Sequence, residues 1–140
     1  MGETYYIDTS VWRDYYENRV AGAKPLGEFA FQFFRYCKQN KCIILFSDLV
    51  IHELGTAYNN NEIKEMMRIV SDYGLLKKVQ EPSKEQYQEA RLLGKNFNVP
   101  FGDALNAVLA RDNDAVLIYR DSHFHELQRI VTIRYPEEVT

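Results

Sequence analysis

The chain has 140 residues, 46% hydrophobic and 26% charged, which is the composition of a globular domain and excludes a disordered or fibrous protein. No apolar run approaches the roughly 20 residues of a membrane span, and no basic segment opens the chain as in a signal peptide, so we expect a cytoplasmic protein. The net charge of −3 excludes a polycation, although a local basic surface could still bind nucleic acid.

Strands and helices alternate along the first half. The β-branched and aromatic residues of 4–7 predict a strand because a polar break follows them at 8–10. The apolar run at 42–46 predicts a strand buried on both faces, and Ser47 predicts the N-cap of the next helix. The predicted elements are, in chain order, strand 4–7, helix 28–39, strand 42–46, helix 49–58 and helix 62–73.

The second half continues the alternation. Its predicted elements are strand 75–79, helix 83–96, helix 103–111, strand 116–119, helix 124–127 and strand 130–133. Strands that alternate with helices favour a parallel sheet with helices on both faces. We therefore predict a single α/β domain over residues 1–140, with three layers (α/β/α) around a central, mostly parallel sheet of about five strands.

Four acids fall where such a sheet holds its functional sites, beyond the carboxyl ends of the strands. Asp8 follows the first strand and Asp121 follows the fourth. Glu53 lies about two turns into a helix that starts from the same edge, and Asp103 opens another helix. The sequence therefore predicts that these four carboxylates lie close together.

Two other acids are assigned to the opposite edge. Asp112 and Asp114 precede a strand instead of following one, and the intervening asparagine makes the segment typical of a turn. Strand direction thus separates turn-forming acids from candidate site residues.

The four acids together predict a divalent metal site. Taken singly, each has a simpler explanation, such as a turn, a solvated helix face or a helix N-terminus. An acid beside a buried strand or on an apolar helix face is costly unless something pairs with it, and one shared cation explains all of them. Hard cations prefer oxygen ligands, so Mg²⁺ or Mn²⁺ is the expected cofactor.

Four motifs of the chain resemble those of PIN-domain ribonucleases. They are Asp8-Thr9-Ser10-Val11, Ile51-His52-Glu53-Leu54, Phe101-Gly102-Asp103-Ala104-Leu105-Asn106-Ala107, and Arg120-Asp121-Ser122-His123-Phe124 with Pro136 after the last strand. D-T-S alone is a common tripeptide, whereas four motifs in this order and strand context are more specific. The resemblance extends from Tyr5 to Pro136.

The resemblance implies a Mg²⁺- or Mn²⁺-dependent endoribonuclease acting on single-stranded or structured RNA. Many small relatives are toxins of VapBC-type toxin–antitoxin pairs, so it also implies a VapB-like antitoxin that inserts a segment into the site, and a homodimer. Asp8, Asp103 and Asp121 would ligate metal directly or through water. Glu53 would ligate metal or orient the attacking water.

The resemblance extends to neighbouring residues. Thr9 or Ser10 would contact substrate or the metal ligands, and Asn106, one turn after Asp103, would line the site. Tyr119 stands where the family usually has Thr or Ser. The candidates for phosphate contacts, each of which taken singly is better explained as a solvated surface charge, are Arg13, Arg19, Lys24, Arg111 and Arg120.

Tyr119 leaves one alternative function open. A PIN-fold module that binds RNA or protein without turnover would tolerate the loss of the usual hydroxyl, although the presence of all four acids argues against it. Phosphotransfer switches of the receiver type need an acidic pair after the first strand, and dehalogenase-type phosphatases need D-x-D. The segment Asp8-Thr9-Ser10 has neither.

Several other reactive or aromatic side chains are assigned to packing. Cys37 and Cys42 are expected to be buried thiols without zinc, because their spacing is not that of a metal site. His123 and His125 are expected at the surface or in packing contacts, and His52 is expected to be structural. Trp12 is interpreted as a core residue or a dimer anchor.

Overall fold

A five-stranded sheet forms the centre of the computed structural model, which describes residues 2–140. The strand order is β3-β2-β1-β4-β5, and every strand pairing in this part of the chain is parallel. The strands are β1 (Thr4–Ile7), β2 (Ile43–Phe46), β3 (Leu76–Lys78), β4 (Val116–Ile118) and β5 (Ile133–Arg134). The predicted α/β class, strand number and strand direction are confirmed.

Helices follow or connect the strands. They are α1 (Thr9–Glu17), α2 (Leu26–Asn40), α3 (Asp48–Leu54), α4 (Asn60–Ser71), α5 (Lys84–Phe97), α6 (Phe101–Asp112) and α7 (Phe124–Leu127), with a 3₁₀ turn at Pro136–Glu138. No helix within residues 2–140 is both long and apolar enough to cross a membrane.

Helices cover both faces of the sheet, as successive side chains of β1 show. Tyr5 packs its ring edge-on against Phe33 of α2, with 5.2 Å between the ring centroids. The next residue, Tyr6, points to the other face and reaches Asn106 of α6. Both tyrosines are buried. The central strand therefore lies between two helical layers, which is the predicted three-layer arrangement.

Helix α1 was not predicted from the sequence. The polar segment at 8–10 was interpreted as a break, whereas Asp8 is the N-cap of a helix that begins at Thr9. Val11 and Trp12 are fully buried on its inner face, and the indole stacks on Phe34 with 4.8 Å between the ring centroids. Trp12 is thus a core residue of the single chain, and the dimer-anchor interpretation is wrong.

Several predicted boundaries differ from the structure. Helix α3 ends at Leu54 instead of residue 58, and turns follow from Gly55. Helix α6 begins at Phe101, two residues earlier than predicted. Strand β2 begins at Ile43, which is 40% exposed, so this strand is not buried on both faces along its whole length. Both Cys37 and Cys42 are buried free thiols, as expected.

Candidate functional site

The carboxyl ends of β1 and β4 open into a cleft of about 710 Å³. All four predicted acids line it, although they come from four separate segments of the chain. Of the other predicted site residues, Thr9, Ser10 and Arg120 also line the cleft. Asp112 and Asp114 are not among the lining residues, in agreement with their assignment to the other edge. The topology thus brings together the acids that strand direction selected.

Asp8 is the most enclosed of the four acids, with 5% of its surface exposed. Its Oδ2 accepts hydrogen bonds from the backbone N–H of Ser10 at 3.0 Å and from the Ser10 hydroxyl at 2.7 Å. Its Oδ1 accepts a hydrogen bond from Nδ2 of Asn106 at 3.2 Å. Asp8 therefore both caps α1 and faces the cleft.

A buried chain of hydrogen bonds orients the Asn106 amide towards Asp8. The Tyr6 hydroxyl donates to Oδ1 of Asn106 at 2.5 Å, so the amide nitrogen is left to face Asp8. Tyr6 has a single hydroxyl hydrogen, so the Ser47 hydroxyl, 2.6 Å away, donates to Tyr6. Asn106 is buried and holds Asp8, but it is not among the residues that line the cleft, where the sequence predicted it. The roles of Tyr6 and Ser47 were not predicted, because nothing in the sequence links residues so far apart.

Glu53 is half-buried and is fixed by the neighbouring helix. The Thr9 hydroxyl donates to Oε1 of Glu53 at 2.8 Å. Its other oxygen, Oε2, faces Gly102 so closely that a Cβ on that glycine would lie 3.0 Å away. Any larger residue at 102 would press on the carboxylate, so Gly102 provides the space that Glu53 occupies at the start of α6.

Tyr119 replaces the usual Thr or Ser, and its hydroxyl still reaches the site. It donates to Oδ2 of Asp103 at 2.6 Å. Tyr119 is fully buried, and both burial and the adjacent Asp103 raise the pKa of its phenol, so the hydroxyl stays protonated and acts as the donor. Tyrosine therefore supports Asp103 with a longer side chain than Thr or Ser, but it still donates a hydroxyl hydrogen bond to that acid.

Asp121 differs from the other three acids in being exposed. Its Oδ1 accepts the backbone N–H of the next residue, Ser122, at 2.8 Å. Arg120, the residue before Asp121, links the ends of β1 and β4, because its backbone N–H donates to the Ser10 hydroxyl at 3.3 Å. The Arg120 guanidinium turns towards Glu137. That ion pair disfavours the predicted phosphate contact.

Burial raises the pKa of three of the acids. It brings the pKa of Asp8 to about 7, with the Ser10 hydrogen bonds opposing the shift and the charges of Asp103 and Glu53 adding to it. Burial also raises the pKa of Glu53 against the effect of the Thr9 hydrogen bond. Burial also raises the pKa of Asp103; the hydrogen bond from Tyr119 lowers this pKa, and the charge of Asp121 raises it. The carboxylates therefore lack sufficient positive charge nearby.

The donor set suits a hard divalent cation, but the acids do not form a tight cage. Within residues 2–140, no group of three or more His, Cys, Asp or Glu side chains has the spacing of a metal site. Mg²⁺ usually takes one or two carboxylates and completes its shell with water and substrate oxygens. Oxygens not used by Thr9 and Tyr119, namely Oε2 of Glu53 and Oδ1 of Asp103, are the natural ligands for such an ion.

Two arginines form the basic side of the cleft. Arg13 and Arg19 both line it, and both approach Glu17, with Nε–O distances of 4.0 and 3.0 Å. Arg19 also lies 4.0 Å from Asp14, an acid with 4% exposure that the sequence did not single out. These two arginines lie where a phosphate contact was predicted.

Two of the other predicted phosphate contacts are not in the cleft. Lys24 and Arg111 do not line it. Arg111 makes a two-pronged ion pair with Glu89, with both N–O distances at 2.7 Å. His52, expected to be structural, is exposed on the cleft wall and its charge lowers the pKa of Glu53.

Comparison with known proteins points to one family. The PIN domain family model matches residues 5–130 of this chain. The crystal structure of VapBC2 from Rickettsia felis bound to a DNA fragment from their promoter is similar with a TM-score of 0.64 and 15% identity, covering 94% of this chain and 98% of that one. No protein with curated annotation matches the sequence significantly.

Two further crystal structures share the fold. FitAcB from Neisseria gonorrhoeae gives a TM-score of 0.57 at 15% identity, covering 94% of this chain and 97% of that one. PAE2754 from Pyrobaculum aerophilum gives 0.57 at 18% identity, covering 99% and 95%. With the family match over most of its length, and with the sheet and the cleft described above, the chain belongs to the PIN domain family.

Proposed function

We propose that this chain is a Mg²⁺- or Mn²⁺-dependent endoribonuclease and the toxin of a toxin–antitoxin pair. The observation that carries the nuclease proposal is the convergence of Asp8, Glu53, Asp103 and Asp121 on one cleft, with the pKa of three of them raised by burial. Carboxylates with strongly shifted pKa values cluster at functional sites. A cation would supply the missing positive charge.

The side chains of the cleft have distinct roles in this proposal. Asp8, Asp103 and Asp121 would offer oxygens to the metal, and Glu53 would offer its Oε2 to the metal or orient the attacking water. The metal, when bound, supplies Lewis-acid stabilisation of the charge that develops on the phosphate. Thr9 and Tyr119 keep one oxygen of Glu53 and Asp103 occupied, which fixes the direction of the other. Ser10 and Asn106 hold Asp8 at both of its oxygens.

The arginine side of the cleft favours a polyanionic substrate. Arg13 and Arg19 lie on the wall of the cleft, and each keeps about two-fifths of its side chain exposed. Guanidinium groups match phosphate oxygens in geometry and charge. A phosphodiester placed between the arginines and the acids would be held at its backbone while one phosphate faces the carboxylates.

Cleavage assays test the nuclease proposal. Purified protein should cleave RNA with Mg²⁺ or Mn²⁺, and EDTA should stop the reaction. Asp103→Asn should lower the rate at least about 100-fold, because loss of a direct ligand should cost more than loss of an outer partner. Asp112→Asn, at the opposite edge, is the matched control. Cleavage that persists in EDTA or in Asp103→Asn would overturn the assignment.

The alternative is a PIN-fold module that binds RNA or protein without turnover. Its sequence support was the replacement of Thr or Ser by Tyr119, yet this tyrosine still donates its hydroxyl to Asp103. Millimolar Mn²⁺ discriminates between the two functions. A nuclease site should raise the melting temperature of the protein on binding metal, whereas an unchanged melting temperature together with no cleavage would favour the binding module.

The toxin proposal concerns the cellular role. Structures of toxin–antitoxin proteins such as VapBC2 share the fold, and we propose a VapB-like antitoxin as partner and a homodimer as the assembly. Expression of the wild-type chain should arrest growth, expression of Asp103→Asn should not, and the product of an adjacent small reading frame should relieve the arrest. Light scattering of the purified chain measures the dimer. Normal growth during expression of an active nuclease would contradict the toxin role.

A further inference from the structure

A second groove lies beside the acidic cleft, between α5 and the start of α6. We call it the Phe101 groove; it has a volume of about 530 Å³, which falls in the usual range of about 300–1,000 Å³ for ligand sites. Its lining residues are Tyr87, Arg91, Gly94, Lys95, Val99 and Phe101. Unlike the cleft, it has an apolar floor and none of the four acids.

Aromatic rings and cations are combined in this groove. Tyr87 and Phe101 are nearly parallel, with 14° between the ring planes and 6.3 Å between centroids. The Arg91 guanidinium lies 6.0 Å from the centroid of Phe101. Phe101 is 39% exposed, an unusual position for a phenylalanine, while Arg91 and Lys95 are exposed at the edge. Within the part of the chain that the structure describes, no carboxylate lines the groove.

The first turn of α6 separates the Phe101 groove from the acidic cleft. Phe101 is the first residue of that helix and Asp103 is the third, so their Cα atoms are about 5 Å apart. Phe101 faces α5 and Asp103 faces the cleft, so the two side chains lie on opposite sides of this turn. The intervening Gly102 carries no side chain, and a Cβ there would lie 3.0 Å from Oε2 of Glu53. A nucleic-acid strand with one phosphate at the acids could reach the groove by crossing the turn at Gly102.

We propose that the Phe101 groove binds an unpaired base of single-stranded RNA next to the phosphate held at the acids. The base stacks on Phe101 and Tyr87, and Arg91 and Lys95 contact the adjoining phosphates. Aromatic faces beside cations are the usual means of binding single strands without reading sequence. The identity of the substrate rests on the proposed nuclease function, whereas the binding surface is independent of turnover.

Positive charge favours this occupant over a second copy of the chain. A groove edged by Arg91 and Lys95 without acids in its lining is complementary to a polyanion. Two copies of the chain, each with a net charge of −3, repel each other overall. The most exposed apolar residue of α5, Leu92, is 61% exposed but does not line the groove. It therefore serves as a control for apolar contacts made outside the groove.

RNA binding in EDTA tests the proposal without turnover. The probe is a fluorescein-labelled single-stranded 12-mer, with the same sequence as a duplex for comparison, and anisotropy gives the dissociation constant. Phe101→Ala should weaken single-strand binding about fivefold or more, and Phe101→Trp should restore it. Duplex binding should change less, because its bases are covered. Leu92→Ala is the matched control and should bind as the wild type does.

Salt dependence tests the two cations. Each phosphate contact that is lost should reduce the slope of log K against log salt by about 0.7. Arg91→Ala with Lys95→Ala should therefore lower the slope by more than Lys64→Ala, an equally exposed cation on α4. Circular dichroism and the melting temperature establish that each variant is folded. Phe101→Leu retains apolar packing without an aromatic face, so it separates the effect of stacking from that of packing.

The outcomes separate this proposal from the nuclease proposal. If Phe101→Ala binds single-stranded RNA as tightly as Leu92→Ala does, the groove proposal is overturned even if RNA is cleaved. The same holds if the wild-type chain binds no single-stranded RNA. Binding lost in Phe101→Ala would support the groove even if the wild type cleaves nothing. Retained RNA binding with a shift from dimer to monomer in Phe101→Ala would assign the surface to a second copy and overturn the RNA proposal.

Discussion

Asp8 and Asp121 occupy equivalent places in the sheet and very different environments. Each follows one of two adjacent parallel strands, β1 and β4, and each lines the same cleft. Asp8 is buried, caps α1 and accepts three hydrogen bonds from Ser10 and Asn106. Asp121 is exposed and accepts the N–H of its own neighbour, Ser122.

The place of an acid in the sheet does not determine how far its carboxylate is shielded from water. Sheet topology brings both acids to the cleft, whereas burial of Asp8 beneath helix α1 and Asn106 excludes water from that carboxylate and raises its pKa. Asp8 is thus a structural residue as well as a candidate ligand, whereas Asp121 is free to follow an ion or a substrate. Variants at the two positions should therefore differ more in stability than in metal binding.

The largest expected effect is on the pH dependence of stability without metal. The folded pKa of Asp8, about 7, exceeds the unfolded value of about 3.9, so the folded state holds the proton more tightly. This contribution is fully present below about pH 4 and is lost as pH rises through 7. It amounts to at most about 4 kcal/mol.

Urea unfolding of wild type and Asp8→Asn in EDTA, from pH 4 to 8, measures this contribution as the difference between the two curves. Asp121→Asn provides the control and should give a curve parallel to that of the wild type. A difference between wild type and Asp8→Asn that does not change with pH would show that Asp8 is solvated and would remove the contrast between the two acids.

Removal of the whole Asp8 side chain should be the next largest effect. Asp8→Ala deletes the N-cap of α1 and leaves the Asn106 amide without its acceptor. A lost cap costs about 0.5–2 kcal/mol and a buried unsatisfied donor about 1–3 kcal/mol, so we expect about 2–4 kcal/mol at pH 5. Asp121→Ala should cost less than about 0.5 kcal/mol. Equal losses in the two variants, measured by urea unfolding, would contradict the comparison.

Much of this contrast could not be predicted from the sequence. Strand direction and helix starts predicted that the four acids lie at one edge and that Asp112 and Asp114 lie elsewhere, because the edge of a parallel sheet follows from element order alone; the four acids do line one cleft. Burial depends on partners distant in the chain. Asn106 is 98 residues from Asp8, and the Ser47–Tyr6 contact that orients it joins residues 41 apart.

Helix α1 shows why local patterns failed at the site itself. Asp8, Thr9 and Ser10 are typical turn residues, and Thr9 and Val11 are β-branched, so the segment has weak helix propensity. The helix forms because Asp8 caps it and because Trp12 is buried against Phe34. Tertiary packing thus overrides propensity where the functional residues lie.

Tyr119 is expected to produce an intermediate effect. Tyr119→Phe removes the hydroxyl that donates to Asp103 and thereby raises the pKa of that acid further. Because Asp103 is only half-buried, water replaces part of the lost bond and the cost in stability should be about 1 kcal/mol. Mn²⁺ affinity at pH 7, measured by calorimetry, should fall by roughly 10-fold, as for other outer partners of metal ligands.

Tyr5→Phe is the matched control, because its hydroxyl also donates to a carboxylate, Glu3, but outside the cleft. It should change stability by a similar amount and leave Mn²⁺ affinity unchanged. If both variants weaken Mn²⁺ binding equally, the Tyr119 hydroxyl has no specific effect on the metal site, and the replacement of Thr or Ser by tyrosine acts through packing alone.

The smallest expected change in stability, and the sharpest test of the comparison, comes from Asp121→Asn. The exposed side chain can rehydrate, so the free energy of unfolding should change by less than about 0.5 kcal/mol. If Asp121 is the ligand that we propose, Mn²⁺ affinity should nevertheless fall, because its carboxylate loses its charge; Asp114→Asn, a turn position with φ of 53°, should change neither. Unaltered Mn²⁺ affinity in Asp121→Asn would remove the fourth acid from the site, and the cleft would then bind its ion through the enclosed acids alone.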